Sequence, residues 1–219
     1  MLPRPQQAQR FFFSAEDVQA IISAAKEPHR TFYGLLAETR LRCGGLCGLT
    51  IDDIDLERGL LLVRQSAWRG KIGSPKTQKS VRVVDLSAEC IAHLVEFLKS
   101  WRPNVSRLLF SSKNGTPWDA NRMLKRKFKP LLQKIGIDVP HGNAFHAFRH
   151  ANETLMDRFG VPLKVRQDRL GHTDTRLTLN VYTHVAGEDA KRAASQLGGV
   201  VWGRTFEISD ANGRKLKTA

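Results

Sequence analysis

TFYGLLAETRLRCGG, residues 31–45, begins as an amphipathic helix and closes on two glycines, and the apolar period changes after it. Phe32, Leu35, Leu36 and Thr39 recur at helical spacing, which predicts a helix from Thr31 to Cys43 that stops near Gly44-Gly45. Beyond the glycines, Leu60 to Arg64 and Ser80 to Leu86 are β-type runs. The loop between them carries Gly70, Gly73 and Pro75, so the pair reads as a hairpin with a long basic tip. Upstream, Ser14 is placed to cap a helix reaching about Lys26, with Asp17 as its capping-box partner. Downstream, Ser87 caps a helix to about Trp101, Arg107 to Ser111 reads as a short strand, and Asn114-Gly115 marks a turn. A basic helix follows from Trp118 or Asp119, kinked or restarted at Pro130. Further helices are expected at His146 to Arg158, Leu163 to Leu170, Asp174 to Tyr182 and Glu188 to Gln196. Val200 to Ile208 reads as a strand, and the polar end after Asp210 as frayed. No repeat or linker divides the chain. The fold class expected is α+β: one mainly helical domain over residues 14–198 with a small antiparallel sheet, preceded by a loose lead-in at 1–13 and followed by a tail at 199–219.

A formal charge of +14 over 219 residues makes a polyanion the natural partner, and nucleic acid fits that balance best. No apolar run is long enough for a bilayer, and Met1 to Arg10 lacks the apolar stretch of a secretory signal, so a cytoplasmic, nucleoid-associated protein is expected. Three cysteines, Cys43, Cys47 and Cys90, form no Cys-x-x-Cys pair. Cys43 and Cys47 share a helix face, where core packing is the preferred reading over a ligand pair. His146 and His150 also lie four apart, a spacing able to hold zinc, but Ala147 stands where a metalloprotease needs its glutamate. No metal and no cofactor is expected.

Five local features invite chemistry: Arg42 after a helix, Lys76 in the hairpin tip, His146 and Arg149 in HAFRH, His172 in LGH, and Tyr182 in YTH. Each is weak alone. Their order together, with Phe13-Ser14-Ala15-Glu16 at the front, Asp52-Asp53-Ile54-Asp55, Pro75-Lys76-Thr77, Ser80-Val81-Arg82 and Leu108-Leu109-Phe110, resembles the tyrosine recombinases of the phage integrase type over nearly the whole chain. The resemblance implies site-specific recombination of double-stranded DNA, cut and rejoined through a 3′-phosphotyrosine without metal or nucleotide. Arg42 and Arg149 would bind the non-bridging phosphate oxygens, since guanidiniums pair bidentately with phosphate and neutralise charge that grows in the transition state. Tyr182 would be the nucleophile and Lys76 the general acid for the leaving 5′-hydroxyl. His146 would accept or orient the tyrosine proton, and His172 would donate to the phosphate. Arg122, Lys125, Arg126 and Lys129 on the basic helix would hold DNA phosphates, contacts that position without reading sequence.

Two positions depart from the family pattern: Arg40 stands where it has glycine, and Gly45 where it has an acidic residue. Only residues 1–13 precede the first helix, so no N-terminal core-binding domain is expected, and a separate DNA-clamping domain or protein would complete the grip. Self-association on DNA, tetrameric in the family, is expected, with the helix at Glu188 to Gln196 packing on a neighbouring protomer. Two other readings stay open: a weak or inactive DNA-binding relative, and a nicking-closing enzyme of the type IB topoisomerase kind.

Overall fold

The computed structural model describes residues 11–73, 81–139, 144–161, 165, 188–203, 208–209 and 215–216. The helices read from the sequence at Leu163 to Leu170, but for Val165, and at Asp174 to Tyr182 lie outside the described residues, and Lys76, His172 and Tyr182 with them.

Helix α1 (Ala15–Ala24) starts at the expected cap. Ser14 Oγ accepts from Asp17 N at 3.0 Å and Asp17 Oδ2 accepts from Ser14 N at 2.9 Å, a reciprocal box that satisfies two backbone donors. The lead-in is not loose to its end: Phe13 is 1% exposed and packs on Phe128 and Phe148. Helix α2 (His29–Thr39) ends earlier than Cys43, because Arg40 adopts a left-handed backbone with φ 56 and closes the helix. Gly44 and Gly45 do not stop a helix; they lie inside a second short one, α3 (Cys43–Cys47). A Cβ on Gly44 would stand 2.9 Å from the Ala67 carbonyl oxygen, so the residue is small because a strand crosses there.

A 3₁₀ turn (Ile51–Asp53) leads into β1 (Ile54–Asp55), which pairs antiparallel with β2 (Leu60–Val63). The predicted tip is itself a second hairpin, β3 (Ser66–Trp68) with β4 (Lys71–Gly73), turning at Arg69-Gly70, where both residues have positive φ. Strand β5 (Arg82–Asp85) then pairs with β2 in the register Leu61↔Val84 and Val63↔Arg82, completing a sheet in the order β1-β2-β5. Leu61, Val63, Val84 and Arg82 are all buried, so the alternation of the strands turns an arginine inward with the valines.

Helix α4 (Ala88–Ser100) begins at Ser87, whose hydroxyl accepts from Cys90 N at 3.0 Å. The predicted strand at Arg107 to Ser111 reduces to two isolated bridges, Thr50↔Leu108 and Ser111↔Pro117. Leu108, Leu109 and Phe110 are buried in succession, and a run with no exposed alternate has no face to give to solvent. The basic helix forms as α5 (Ala120–Met123), a π turn (Leu124–Phe128) and α6 (Lys129–Lys134). Met123, Phe128 and Leu132 face inward, and the wide turn between the first two leaves Lys125, Arg126 and Lys127 all exposed.

Helix α7 (Ala144–Arg158) packs on α2 through an aromatic cluster of Phe32, Tyr33, Phe128, Phe145 and Phe148. Helix α8 (Glu188–Trp202) runs past Gln196 and takes in Val200 to Trp202, which the sequence suggests as strand. Among the described residues beyond it, Ile208–Ser209 (β6) is extended, paired with Lys215–Leu216 (β7). Within its own chain this helix lies on α1, α2 and α4. Trp202 covers Gly34, stacks on His93 at 4.1 Å and donates from Nε1 to Glu38 Oε2 at 2.8 Å. The fully buried Glu38 carboxylate also accepts from Ser87 N at 2.8 Å and Ser87 Oγ at 3.1 Å. One side chain thereby ties α2, α4 and α8 together. Glu38→Ala orphans three donors at once, the two from Ser87 buried and the one from Trp202 partly so, and is expected to lower unfolding stability by about 3 kcal/mol in urea titrations, with α8 becoming sensitive to limited proteolysis. No helix among the described residues is long and apolar enough to cross a membrane.

Candidate active site

The end of α2 and the middle of α7 meet through a set of polar contacts. Asn152, 1% exposed, donates from Nδ2 to the carbonyls of Ala37 at 2.7 Å and Glu38 at 2.9 Å, filling acceptors that the last turn of α2 leaves open. One turn earlier on α7, Arg149 Nη1 donates to the Arg40 carbonyl. One residue later, Glu153 Oε2 takes Arg40 Nη2 at 2.9 Å. Arg42, two residues beyond the break in α2, stands exposed at the start of α3.

Four guanidiniums therefore share one region. Burial, and after it the charges of Arg40, Arg42 and Arg82, press Arg149 down to about 10 against the pull of Glu153. Arg82, turned inward from β5, is likewise lowered to about 10 by burial, then by Arg42 and Arg40. Guanidiniums stay charged at neutral pH even so; burial is the larger cause of the depression and the neighbouring cations add to it. Among the described residues, Glu153 is the carboxylate whose charge reaches Arg40 and Arg149. Such a cluster is a ready receptor for a phosphate, whose negative oxygens relieve the repulsion and accept the donors.

His146, exposed at the same end of α7, is held below the ordinary imidazole value by desolvation, then by Arg149, His150 and Arg42. It is neutral at pH 7 and free to accept a proton. Arg42, Arg149 and His146 are thus brought together, as the sequence order suggests. Arg122, Lys125, Arg126 and Lys129 all lie exposed on the α5–α6 run. Sequence reasoning missed Arg82 and the Arg40–Glu153 pair as site residues. Arg82 had a usable signal, because it shares strand parity with Val84 and Leu86, and an inward arginine demands a partner. Arg40 and Glu153 are 113 residues apart and carried none.

The remaining nucleophile candidates are screened by burial. Tyr33, the other of two tyrosines in the chain, is 1% exposed, and burial raises its hydroxyl far above the usual range. Cys43, through its hydrogen bond to Cys47 and then burial, and Cys90, through burial, are both held as thiols.

A mainly helical domain with a small sheet, gathering guanidiniums from the end of α2, from α7 and from β5, defines a class of protein. The chain belongs to the phage integrase family, whose model matches residues 12–189. It is similar to the tyrosine recombinase XerC-like protein of Caldanaerobacter subterraneus, 31% identical over 211 residues, covering 84% of this chain and 53% of the relative. It is 32% identical over 196 residues to the tyrosine recombinase XerD of Vibrio vulnificus, covering 84% and 59%. The chain thus spans little more than half the length of these curated relatives. Among solved structures, a Tn1549 transposon integrase in complex with transposon right end DNA matches with a TM-score of 0.65 at 25% identity, covering 90% of this chain and 68% of that one. XerA recombinase matches with a TM-score of 0.63 at 24% identity, covering 87% and 66%, which establishes a common fold.

Proposed function

We propose that this chain is the catalytic domain of a tyrosine-type site-specific recombinase, which cleaves and rejoins duplex DNA through a 3′-phosphotyrosine at Tyr182. The observation that carries the reading is the gathering of Arg42 and Arg149, with Arg40 and Arg82 beside them, in a region where Glu153 pairs with Arg40 and acts on Arg149. A phosphodiester repels nucleophiles by its charge, and two guanidiniums on its non-bridging oxygens remove that barrier. Tyr182 attacks phosphorus in line and the 5′-oxygen leaves, taking a proton from Lys76. His146, neutral in the folded protein, receives the tyrosine proton, and His172 donates to the phosphate. Attack by a 5′-hydroxyl from a second strand then reverses the step and releases Tyr182. The energy of the broken bond is kept in the phosphotyrosine, so the scheme consumes no nucleotide and needs no metal.

The exposed Arg122, Lys125, Arg126 and Lys129 supply phosphate contacts along the duplex. The Tn1549 integrase was solved on DNA, which supports DNA as the partner in this family. Synapsis by several copies, and a clamping domain on the far side of the duplex, are the assembly this chemistry calls for.

The test is incubation with supercoiled plasmid in the absence of divalent metal, followed by a detergent quench. Relaxed circles together with protein covalently attached to DNA are expected. DNA binding with neither product would favour the reading of a DNA-binding relative without catalysis.

A further inference from the structure

The positive charge at this site is held together at one point. Arg40 is 6% exposed, yet its Nε and Nη1 have no hydrogen-bond acceptor among the described residues, and Arg82 Nε is in the same condition. Its backbone is left-handed, a conformation that disfavours any residue with a Cβ. Both conditions are unfavourable, and glycine would avoid both. What the guanidinium gains in return is the bond to Glu153, at the helix end whose carbonyls take Asn152 and Arg149.

We propose that Arg40 is a positioning residue: clasped by Glu153, it fixes the carbonyl that orients Arg149, so that Arg149 and Arg42 converge on one phosphate. This rests on reading those two arginines as the phosphate-binding pair. The clasp ties the break after α2 to α7 directly, and Arg149 and Glu153, one helical turn apart on α7, grip the same residue by its backbone and its side chain. A guanidinium displaced by about 1 Å forfeits on the order of a hundredfold in rate, so a small loss of register at Arg40 is felt at the reacting phosphorus. Asn152 and the core contacts of α2 stay in place without the clasp, which leaves the fold to stand on other interactions.

The experiment reads two quantities in wild type, Arg40→Gly, Arg40→Lys, Glu153→Gln, the Arg40→Gly/Glu153→Gln double variant and Arg149→Ala. The first is the affinity of the DNA-free protein for inorganic phosphate, followed by the rise in melting temperature. The second is the single-turnover rate of DNA cleavage as a function of DNA concentration. Arg40→Gly is expected to fold with an undiminished melting temperature, because glycine suits the left-handed backbone. Its phosphate affinity should fall about tenfold, and its cleavage rate at saturating DNA by roughly ten- to a hundredfold, with the half-saturating DNA concentration little changed. Arg40→Lys should recover part of the loss, and the double variant should be no worse than the worse single one, as for two residues acting through one contact. Wild-type phosphate affinity and cleavage rate in Arg40→Gly would overturn the proposal, as would losses that multiply in the double variant. If Arg40→Gly weakens phosphate binding while wild type cleaves no DNA, the clasp stands and the recombinase reading falls. If wild type binds no phosphate, or Arg149→Ala leaves phosphate binding unchanged, the phosphate-pair reading falls and the clasp with it.

Discussion

Arg149→Ala is expected to slow single-turnover DNA cleavage by roughly a hundred- to a thousandfold, the cost of removing one preorganised donor from a developing oxyanion. Arg149 is half-buried, anchored through Nη1 to the Arg40 carbonyl and ringed by Arg40, Arg42 and Arg82. Its geometry is set before substrate arrives, so little reorganisation is left for the moment of reaction. Removing it also relieves crowding among the remaining cations, and the melting temperature should hold or rise. Affinity for nonspecific duplex should change by less than about tenfold, since many phosphate contacts share that term. Gel-shift titration and quenched cleavage on the same preparation separate the two effects. Cleavage at the wild-type rate would remove Arg149 from the active site.

Tyr182→Phe is expected to abolish the protein–DNA adduct and reduce plasmid relaxation by on the order of 10⁴-fold or more, while binding is preserved. Phenylalanine keeps the ring and deletes only the attacking oxygen. Tyr33, the other tyrosine, is sealed in the aromatic cluster against Phe128 and Phe148 and cannot substitute. An adduct that survives the change would assign the nucleophile elsewhere, and mapping the attached peptide by mass spectrometry would identify it.

Much of the frame was legible because its signals are local. The caps at Ser14 and Ser87, the helical spacing of Phe32, Leu35 and Leu36, and the pairing of the Leu60 and Ser80 runs all follow from neighbouring residues. Errors arose where tertiary packing outvoted them. Val200-Val201-Trp202 has strand composition, yet Val201 is 1% exposed and Trp202 bonds Glu38, so burial against α2 holds the run as helix. Gly44-Gly45 looked like punctuation, whereas Gly44 makes room for β3. Of the site, Arg42, His146 and Arg149 were read from their motifs, and the structure places all three together. The Arg40–Glu153 pair joins residues 113 apart, and pattern within one segment carries no information about such a contact.

The π turn at Leu124–Phe128 has a consequence for how the basic face tolerates change in length. Buried positions 123, 128 and 132 are spaced five and then four, so the stretch holds one residue more than an α-helix with the same inner face would need. That surplus residue gives the outer face an additional cation at no cost to the inner one. Excising it would let the helix close into regular register with its apolar contacts kept, whereas excising a residue from the regular turns of α7 would rotate half of that helix by about 100° and take either Arg149 or its grip on α2 out of reach. The two helices thus differ in kind, one able to gain or lose a single residue and the other fixed in length.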